Sequence, residues 1–111
     1  MDILKPVKAQ LESYNNRDIE KFILNFSENC TVEDGEGNLL LKGRDEMYES
    51  YKKMFNESPS LFCDLQSRIV VGNYVLDEEK VTGRGGNEGI SHVVAIYLVE
   101  DGEITKVRFL R

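Results

Sequence analysis

The sequence has no tryptophan, a single histidine, His92, and only two cysteines among its 111 residues. One histidine argues against a structural zinc site, which needs several histidine or cysteine ligands at fixed spacing, and no cofactor motif is present. Cys30 and Cys63 lie in apolar stretches rather than in a cysteine-rich framework, and Lys5 directly after Leu4 is unlike a signal peptide. We therefore expect a reduced, cytoplasmic protein without metal or cofactor. No stretch approaches the ~18 apolar residues of a membrane helix.

Positive charge is also scarce, with 14 lysines and arginines against 20 aspartates and glutamates, a formal net charge of −6. Nucleic acids and anionic membrane surfaces both select clustered positive charge, so neither is expected as a partner. The composition, 41% hydrophobic and 31% charged, is that of a globular chain. Its length predicts a single domain over 1–111, with room for one core and one pocket.

The first half of the chain has helical periodicity. Apolar residues at three- and four-residue steps predict helices over 2–15, from an N-cap at Asp18 to about 27–29, and over 43–57. Between the last two helices the period changes to two, starting at Cys30, which predicts a strand.

The second half of the chain is predicted to form strands. Segments rich in β-branched and aromatic residues cover 61–71, 74–82, 90–99 and 104–110. The acidic run Asp77-Glu78-Glu79 is interpreted as a solvent-exposed turn. Helices gathered before an antiparallel meander predict an α+β fold rather than an alternating parallel one.

Asp34 is the most informative single residue. On the predicted strand it shares a face with Cys30 and Val32, and a buried carboxylate without a partner is costly enough to need a functional reason. The alternative is that Asp34 begins the turn at Gly35, where aspartate is common. The local pattern alone favours the turn.

His92 and a glycine-rich loop are two further candidates. His92 shares a strand face with Val94, Ile96 and Leu98, which fits either a core histidine or a group that titrates near neutrality. The segment 83–89 does not match the G-x-G-x-x-G phosphate-binding pattern, because position 88 is glutamate. It is interpreted as a flexible hairpin loop, with Arg84 as a candidate guard of an opening.

The order of these elements resembles the nuclear transport factor 2-like superfamily over essentially the whole chain. The segments that carry the resemblance are Asn15-Asn16-Arg17-Asp18, Phe26–Asp34, Gly43-Arg44-Asp45-Glu46, Val94–Leu98 and Glu100–Ile104. The resemblance implies three N-terminal helices packed in the concave face of a strongly curved antiparallel sheet, a cystatin-like cone with an internal pocket. It also implies a homodimer formed through the outer sheet face.

Within the superfamily, the sequence ending at Asp34 is most similar to the ketosteroid isomerase group, and Asp34 falls on that group's general base. The group's two oxyanion-hole donors fall on Gln10 and near Val94, so the donor pair is incomplete. A looser similarity to SnoaL-type polyketide cyclases implies that His92 is an acid or base in the pocket. Tyr14, one helical turn after Gln10, would supply a hydroxyl.

Two hypotheses follow. In the first, the chain is an isomerase or cyclase, in which Asp34 abstracts a proton next to the carbonyl of a small apolar substrate while His92 binds the oxygen with Tyr14 or Gln10. In the second, it is a non-catalytic small-ligand-binding or dimeric scaffold domain. Other predicted pocket residues are Cys30, Val32, Met47, Tyr51, Met54, Val94, Val107 and Phe109. A position of Asp34 opposite His92 across an enclosed cavity would favour the enzyme.

Overall fold

The computed structural model describes residues 2–111, which form three helices and one six-stranded sheet. The helices are α1 (Leu4–Asn15), α2 (Ile19–Ile23) and α3 (Arg44–Glu57). The strands are β1 (Phe26–Asp34), β2 (Leu39–Lys42), β3 (Phe62–Val71), β4 (Tyr74–Thr82), β5 (Ile90–Glu100) and β6 (Glu103–Leu110). Within this described part of the chain, no helix is both long and apolar enough to cross a membrane.

The sheet has the strand order β2-β1-β6-β5-β4-β3. The predicted α+β architecture, with the helices packed against one face of the sheet, is confirmed. The expectation of a purely antiparallel sheet is wrong at one pair, because β1 and β6 run parallel. No hairpin joins these two strands, so nothing local forces them to be antiparallel.

The second helix is shorter than its periodicity predicts. It begins as expected at Asp18, whose carboxylate accepts a hydrogen bond from the Lys21 backbone N–H at 3.1 Å. It ends at Ile23, and the Asn25 side-chain amide donates to the carbonyl of Lys21 at 3.1 Å. The Asn25 carbonyl then accepts from the Ile104 N–H at 2.9 Å, so pairing with β6 starts the strand at residue 26 instead of residue 30.

The core lies between the three helices and the inner face of the sheet. Phe22 of α2 is its aromatic centre, with ring centroids 4.9 Å from Phe26, 4.7 Å from Tyr51 and 5.5 Å from Phe55. On β4 and β5 every second residue is buried, which defines an inner and an outer sheet face. The cluster of rings fills one side of the space between the layers, and a cavity remains beside it.

A close backbone contact positions the loop between β4 and β5. Gly83 has φ +78°, and a Cβ atom there would overlap the backbone carbonyl of Ser60. Gly86 in the same loop also has φ +78°, but a Cβ atom there would meet nothing within 4 Å. Alanine substitutions at the two glycines therefore separate the cost of backbone strain, which both share, from the cost of steric overlap, which only Gly83 has.

We expect Gly83→Ala to lower the free energy of unfolding by about 1–3 kcal/mol more than Gly86→Ala does, because both variants strain the backbone and only the first adds an overlap. Urea unfolding of the two variants and the wild type measures the difference. Equal losses in the two variants would contradict the assigned contact.

Candidate active site

A cavity of about 470 Å³ lies between the helices and the inner sheet face. Its wall is mostly apolar, with side chains such as Leu11, Met54, Val81 and Phe109. Polar groups at the wall come from a few positions on separate elements. They include Gln10, Tyr14, Ser50, Tyr51, Glu79, Arg84, Tyr97 and Arg111, and Ser91 and His92 also border the cavity. An apolar pocket with a few convergent polar groups is typical of a small-molecule site.

Glu79 is the carboxylate of this cavity. The alternation of β4 turns it to the inner face together with Val75 and Val81, and it is 5% exposed. Burial, and then the negative charge of Asp77, raise the pKa of the Glu79 carboxyl to about 7, while a hydrogen bond from the Cys63 thiol acts in the opposite direction. A carboxyl group that titrates near neutrality, at the wall of an apolar cavity, is suited to general acid–base chemistry.

Asp77 lies two residues before Glu79 on the same face but has a different environment. Its side chain is fully buried and accepts two hydrogen bonds from the Arg68 guanidinium of β3, at 2.7 and 2.9 Å. A buried carboxylate needs such a partner, because an uncompensated charge in the interior costs several kcal/mol. Arg68 therefore forms its ion pair with Asp77 and not with Glu79, whose carboxyl group faces the cavity.

Three tyrosine hydroxyls surround the same space. Burial raises the pKa of Tyr51 to about 12, and burial also raises the pKa of Tyr14 above its usual range. Tyr97 accepts a hydrogen bond from the Gln10 side-chain amide at 3.1 Å, and burial raises its pKa well above the usual range as well. These hydroxyls therefore stay protonated and can donate hydrogen bonds to a substrate oxygen.

Asp34 does not line the cavity, so the prediction that it faces the pocket is wrong and the turn alternative holds. Its carboxylate accepts hydrogen bonds from the Glu36 N–H at 3.0 Å, the Asn38 N–H at 2.9 Å and the Asn38 side-chain amide at 2.9 Å. The Asn38 side-chain bond, and then these backbone bonds, lower the pKa of Asp34. The free N–H groups of the turn bind the carboxylate that the strand pattern assigned to the pocket.

His92 borders the cavity rim, but its imidazole lies on the outer face of β5. Nε2 is 2.7 Å from the Glu78 carboxylate, which also accepts the Ser67 hydroxyl at 2.8 Å, and the histidine side chain is 62% exposed. The expected arrangement of His92 opposite Asp34 across the cavity is therefore not formed.

The structure divides the remaining candidate residues into three groups. Those on the cavity wall are Gln10, Tyr14, Val32, Tyr51, Met54, Val107 and Phe109. Cys30 and Met47, predicted to line the pocket, are instead fully buried in the core behind the wall. Val94, also predicted there, lies on the outer face, because β5 turns Val93 and Ala95 inward.

Sequence reasoning missed Glu79 and Arg111. The interpretation of residues 77–79 as a turn is wrong, because they lie within β4 and the hairpin between β3 and β4 turns at Gly72-Asn73. The alternation of residues 75, 77, 79 and 81 contained the signal, because it places Glu79 on the face of two valines. Arg84, considered as a guard of an opening, does lie at the cavity.

The three helices and the six-stranded sheet form the same fold as solved nuclear transport factor 2-like and ketosteroid isomerase-like structures. A family model described as "SnoaL-like domain" matches residues 7–107, and the chain belongs to this SnoaL-like family. No curated protein sequence matches the chain significantly. Across residues 2–111, no group of three or more histidine, cysteine, aspartate or glutamate side chains is arranged to hold a metal ion.

Solved structures of other proteins have the same fold. An uncharacterised cystatin-fold protein from Novosphingobium aromaticivorans is 25% identical, with a TM-score of 0.92 over 100% of this chain and 99% of that one. An LEH-like epoxide hydrolase from Mycobacterium tuberculosis is 18% identical, with a TM-score of 0.84 over 97% of this chain and 80% of that one. A protein of ketosteroid isomerase-like fold from Catenulispora acidiphila, solved with trimethylamine, is 15% identical, with a TM-score of 0.77 over 95% and 83%. The last two establish similarity of fold alone.

The raised pKa of Glu79 predicts a pH-dependent gain in stability for Glu79→Gln. Below the ordinary pKa of 4.5 the carboxyl is protonated in both the folded and unfolded states, so its ionisation costs nothing. As the pH rises through about 7, the unfolded state is ionised while burial opposes ionisation in the folded state, and the wild type loses about 3 kcal/mol. Glu79→Gln should therefore exceed the wild type in Tm at pH 8, with a difference that shrinks towards pH 4.

The adjacent Glu78→Gln is the matched control. Hydrogen bonds from His92, and then from Ser67, lower the pKa of Glu78, so this variant should lose stability at neutral pH rather than gain it. Thermal unfolding from pH 4 to 8 measures both variants. A drop in Tm at pH 8 for Glu79→Gln would contradict the inferred environment.

Proposed function

We propose that this protein is an isomerase- or cyclase-type enzyme that abstracts a proton next to the carbonyl of a small apolar substrate, with Glu79 as the base. The observation that carries the proposal is a nearly buried glutamate with a pKa of about 7 on the wall of an apolar cavity. At neutral pH such a carboxyl is partly ionised and near the optimum for proton transfer in either direction. The role that the family resemblance implies for Asp34 is assigned here to Glu79.

The proposed step is a proton transfer through an enolate. The Glu79 carboxylate takes the proton, the carbon–hydrogen electron pair forms the carbon–carbon double bond, and the carbonyl π pair moves to the oxygen. Tyr14 and Tyr51 would donate hydrogen bonds to that oxygen, where preorganised donors stabilise developing charge most effectively. An isomerase then returns the proton from Glu79 to a different carbon. In a cyclase the enolate carbon attacks a second carbonyl, whose π pair moves to its own oxygen, and that oxygen takes the proton from Glu79.

The second candidate is a non-catalytic domain that binds a small apolar ligand. It is favoured by the fate of the two family oxyanion-hole positions. Gln10 donates its side-chain amide to Tyr97, and Val94 lies on the outer face. In the proposed enzyme, the tyrosine hydroxyls must therefore supply the hydrogen bonds that stabilise the enolate oxygen.

Both cysteines support the expected cytoplasmic location. Cys30 and Cys63 are free and buried, and burial raises the pKa of Cys30 to about 12. Buried neutral thiols without disulfides are the usual state of cysteine in a reducing compartment.

We expect the wild type to accelerate exchange of the α-protons of small apolar ketones such as 2-tetralone with D2O, at a rate that rises through pH 7. Glu79→Gln should reduce this catalysis by at least about 100-fold, because a positioned base contributes that much or more. Asp34→Asn should leave it unchanged, since Asp34 is bonded within its turn. Proton NMR follows the exchange.

A loss in Asp34→Asn with full activity in Glu79→Gln would reverse the assignment of the base. Binding of the ketones without any catalysed exchange in the wild type would support the non-catalytic candidate.

The proposal includes a homodimer formed through the outer sheet face, as is usual in the family. That face exposes large apolar side chains at the β3–β4 hairpin, including Ile69, Val71 and Tyr74. Contiguous exposed apolar surface of this kind is typical of protein–protein interfaces.

Ile69→Lys should shift the wild-type dimer to a monomer, because it places a charge within this apolar surface. Leu24→Lys is the control, since Leu24 is similarly exposed but follows α2 rather than lying in the sheet. Sedimentation equilibrium measures the mass of each variant. A monomeric wild type, or a dimer that Ile69→Lys does not weaken, would contradict this interface.

A further inference from the structure

The cavity is lined by two exposed cationic side chains that the proposed proton transfer does not use. Arg84 and Arg111 both line the cavity, and they come from opposite parts of the second half of the chain. Arg84 lies in a short 3₁₀ turn between β4 and β5, where the next residue's N–H donates to the fully buried Ser58 hydroxyl at 2.8 Å. Arg111 follows β6, with its guanidinium 5.0 Å from the centroid of the Phe109 ring.

Neither guanidinium has a carboxylate partner. None of the ion pairs formed within residues 2–111 includes Arg84 or Arg111. Both guanidinium groups belong to the lining of one cavity, and partial burial, and then the positive charge of Arg84, lower the pKa of Arg111. Two neighbouring cations at an apolar cavity are stabilised most by an anion placed between them.

The surroundings favour a carboxylate as that anion. A guanidinium binds a carboxylate through two parallel hydrogen bonds, so the two arginines together can satisfy both of its oxygens. The net charge of −6 gives no general attraction for anions, so anion affinity would have to come from this local cluster.

We infer that the ligand of this cavity is an amphipathic anion, a small apolar molecule whose carboxylate is bound by Arg84 and Arg111. Its apolar body lies among the aliphatic and aromatic side chains of the wall, as an arylcarboxylate or oxo acid would. The placement of its reacting carbon beside Glu79 rests on the proposed function, whereas the binding of the carboxylate does not.

Naphthalene-2-carboxylate and its uncharged amide form a matched pair of probes. We expect the wild type to bind the acid at least about tenfold more tightly than the amide in calorimetric titrations at low salt, and the acid's affinity to fall as NaCl is added. Arg84→Gln and Arg111→Gln should each weaken the acid about tenfold and leave the amide unchanged. Arg108→Gln, which removes a guanidinium from the outer sheet face, should change neither affinity.

Glu79→Gln separates this inference from the proposed reaction. If the variant loses catalysed proton exchange but keeps the preference for the acid, both proposals stand. If the wild type prefers the acid but catalyses no exchange, the reaction is wrong and the anion site remains. Equal binding of acid and amide, no binding of the acid at millimolar concentration, or undiminished acid binding in both folded arginine variants would overturn the inference.

Discussion

The buried ion pair between Arg68 and Asp77 is the constraint on which the inner face of β4 depends. A strand that alternates strictly must turn both Asp77 and Glu79 towards the interior, and neither charge is tolerated there without compensation. Arg68 engages Asp77 through two hydrogen bonds and acts on Glu79 only from a distance. Asp77 therefore remains a paired group of the framework, and its negative charge adds to burial in raising the pKa of Glu79. Two carboxylates on one strand face thus differ in their chemistry because one cation serves only one of them.

The polarity of the cavity follows from the elements that reach it. Glu79, the proposed base, comes from the middle of β4, which pairs with β3 on one side and with β5 on the other. The tyrosine hydroxyls come from α1, α3 and β5, and they remain neutral donors because burial raises their pKa values. Arg84 comes from a loop whose place depends on the close approach of Gly83 to Ser60 and on the bond to Ser58. The end of α3 and the loop that carries Arg84 are therefore in direct contact.

Periodicity in the sequence was sufficient for the three helices, five of the six strands and the α+β architecture, but it missed β2 and the early end of α2, and it could not determine which sheet face is inner. Both faces of β5 are apolar, so the alternation of Val94, Ile96 and Leu98 with His92 looked like a core face although these residues point outwards. The prediction that Asp34 faces the pocket was wrong for another reason, because its carboxylate is hydrogen-bonded within its own turn. The density of acidic residues around Glu79 suggested a solvated turn, and only the pairing of β4 with both neighbours makes that segment a strand.

A proposed base on β4 instead of β1 changes which ligands the same cavity can select. A base at the end of β1 would stand beside the turn that holds Asp34, whereas Glu79 stands on the strand that leads directly into the loop carrying Arg84. In the proposed complex, a ligand bound at its anionic end by Arg84 and Arg111 would present its apolar body to Glu79. The cavity of about 470 Å³ leaves the apolar remainder of the ligand among the side chains of α1, α3 and β6. The separation of base and anchor, rather than the fold, then determines which carbon of the ligand lies within reach of proton transfer.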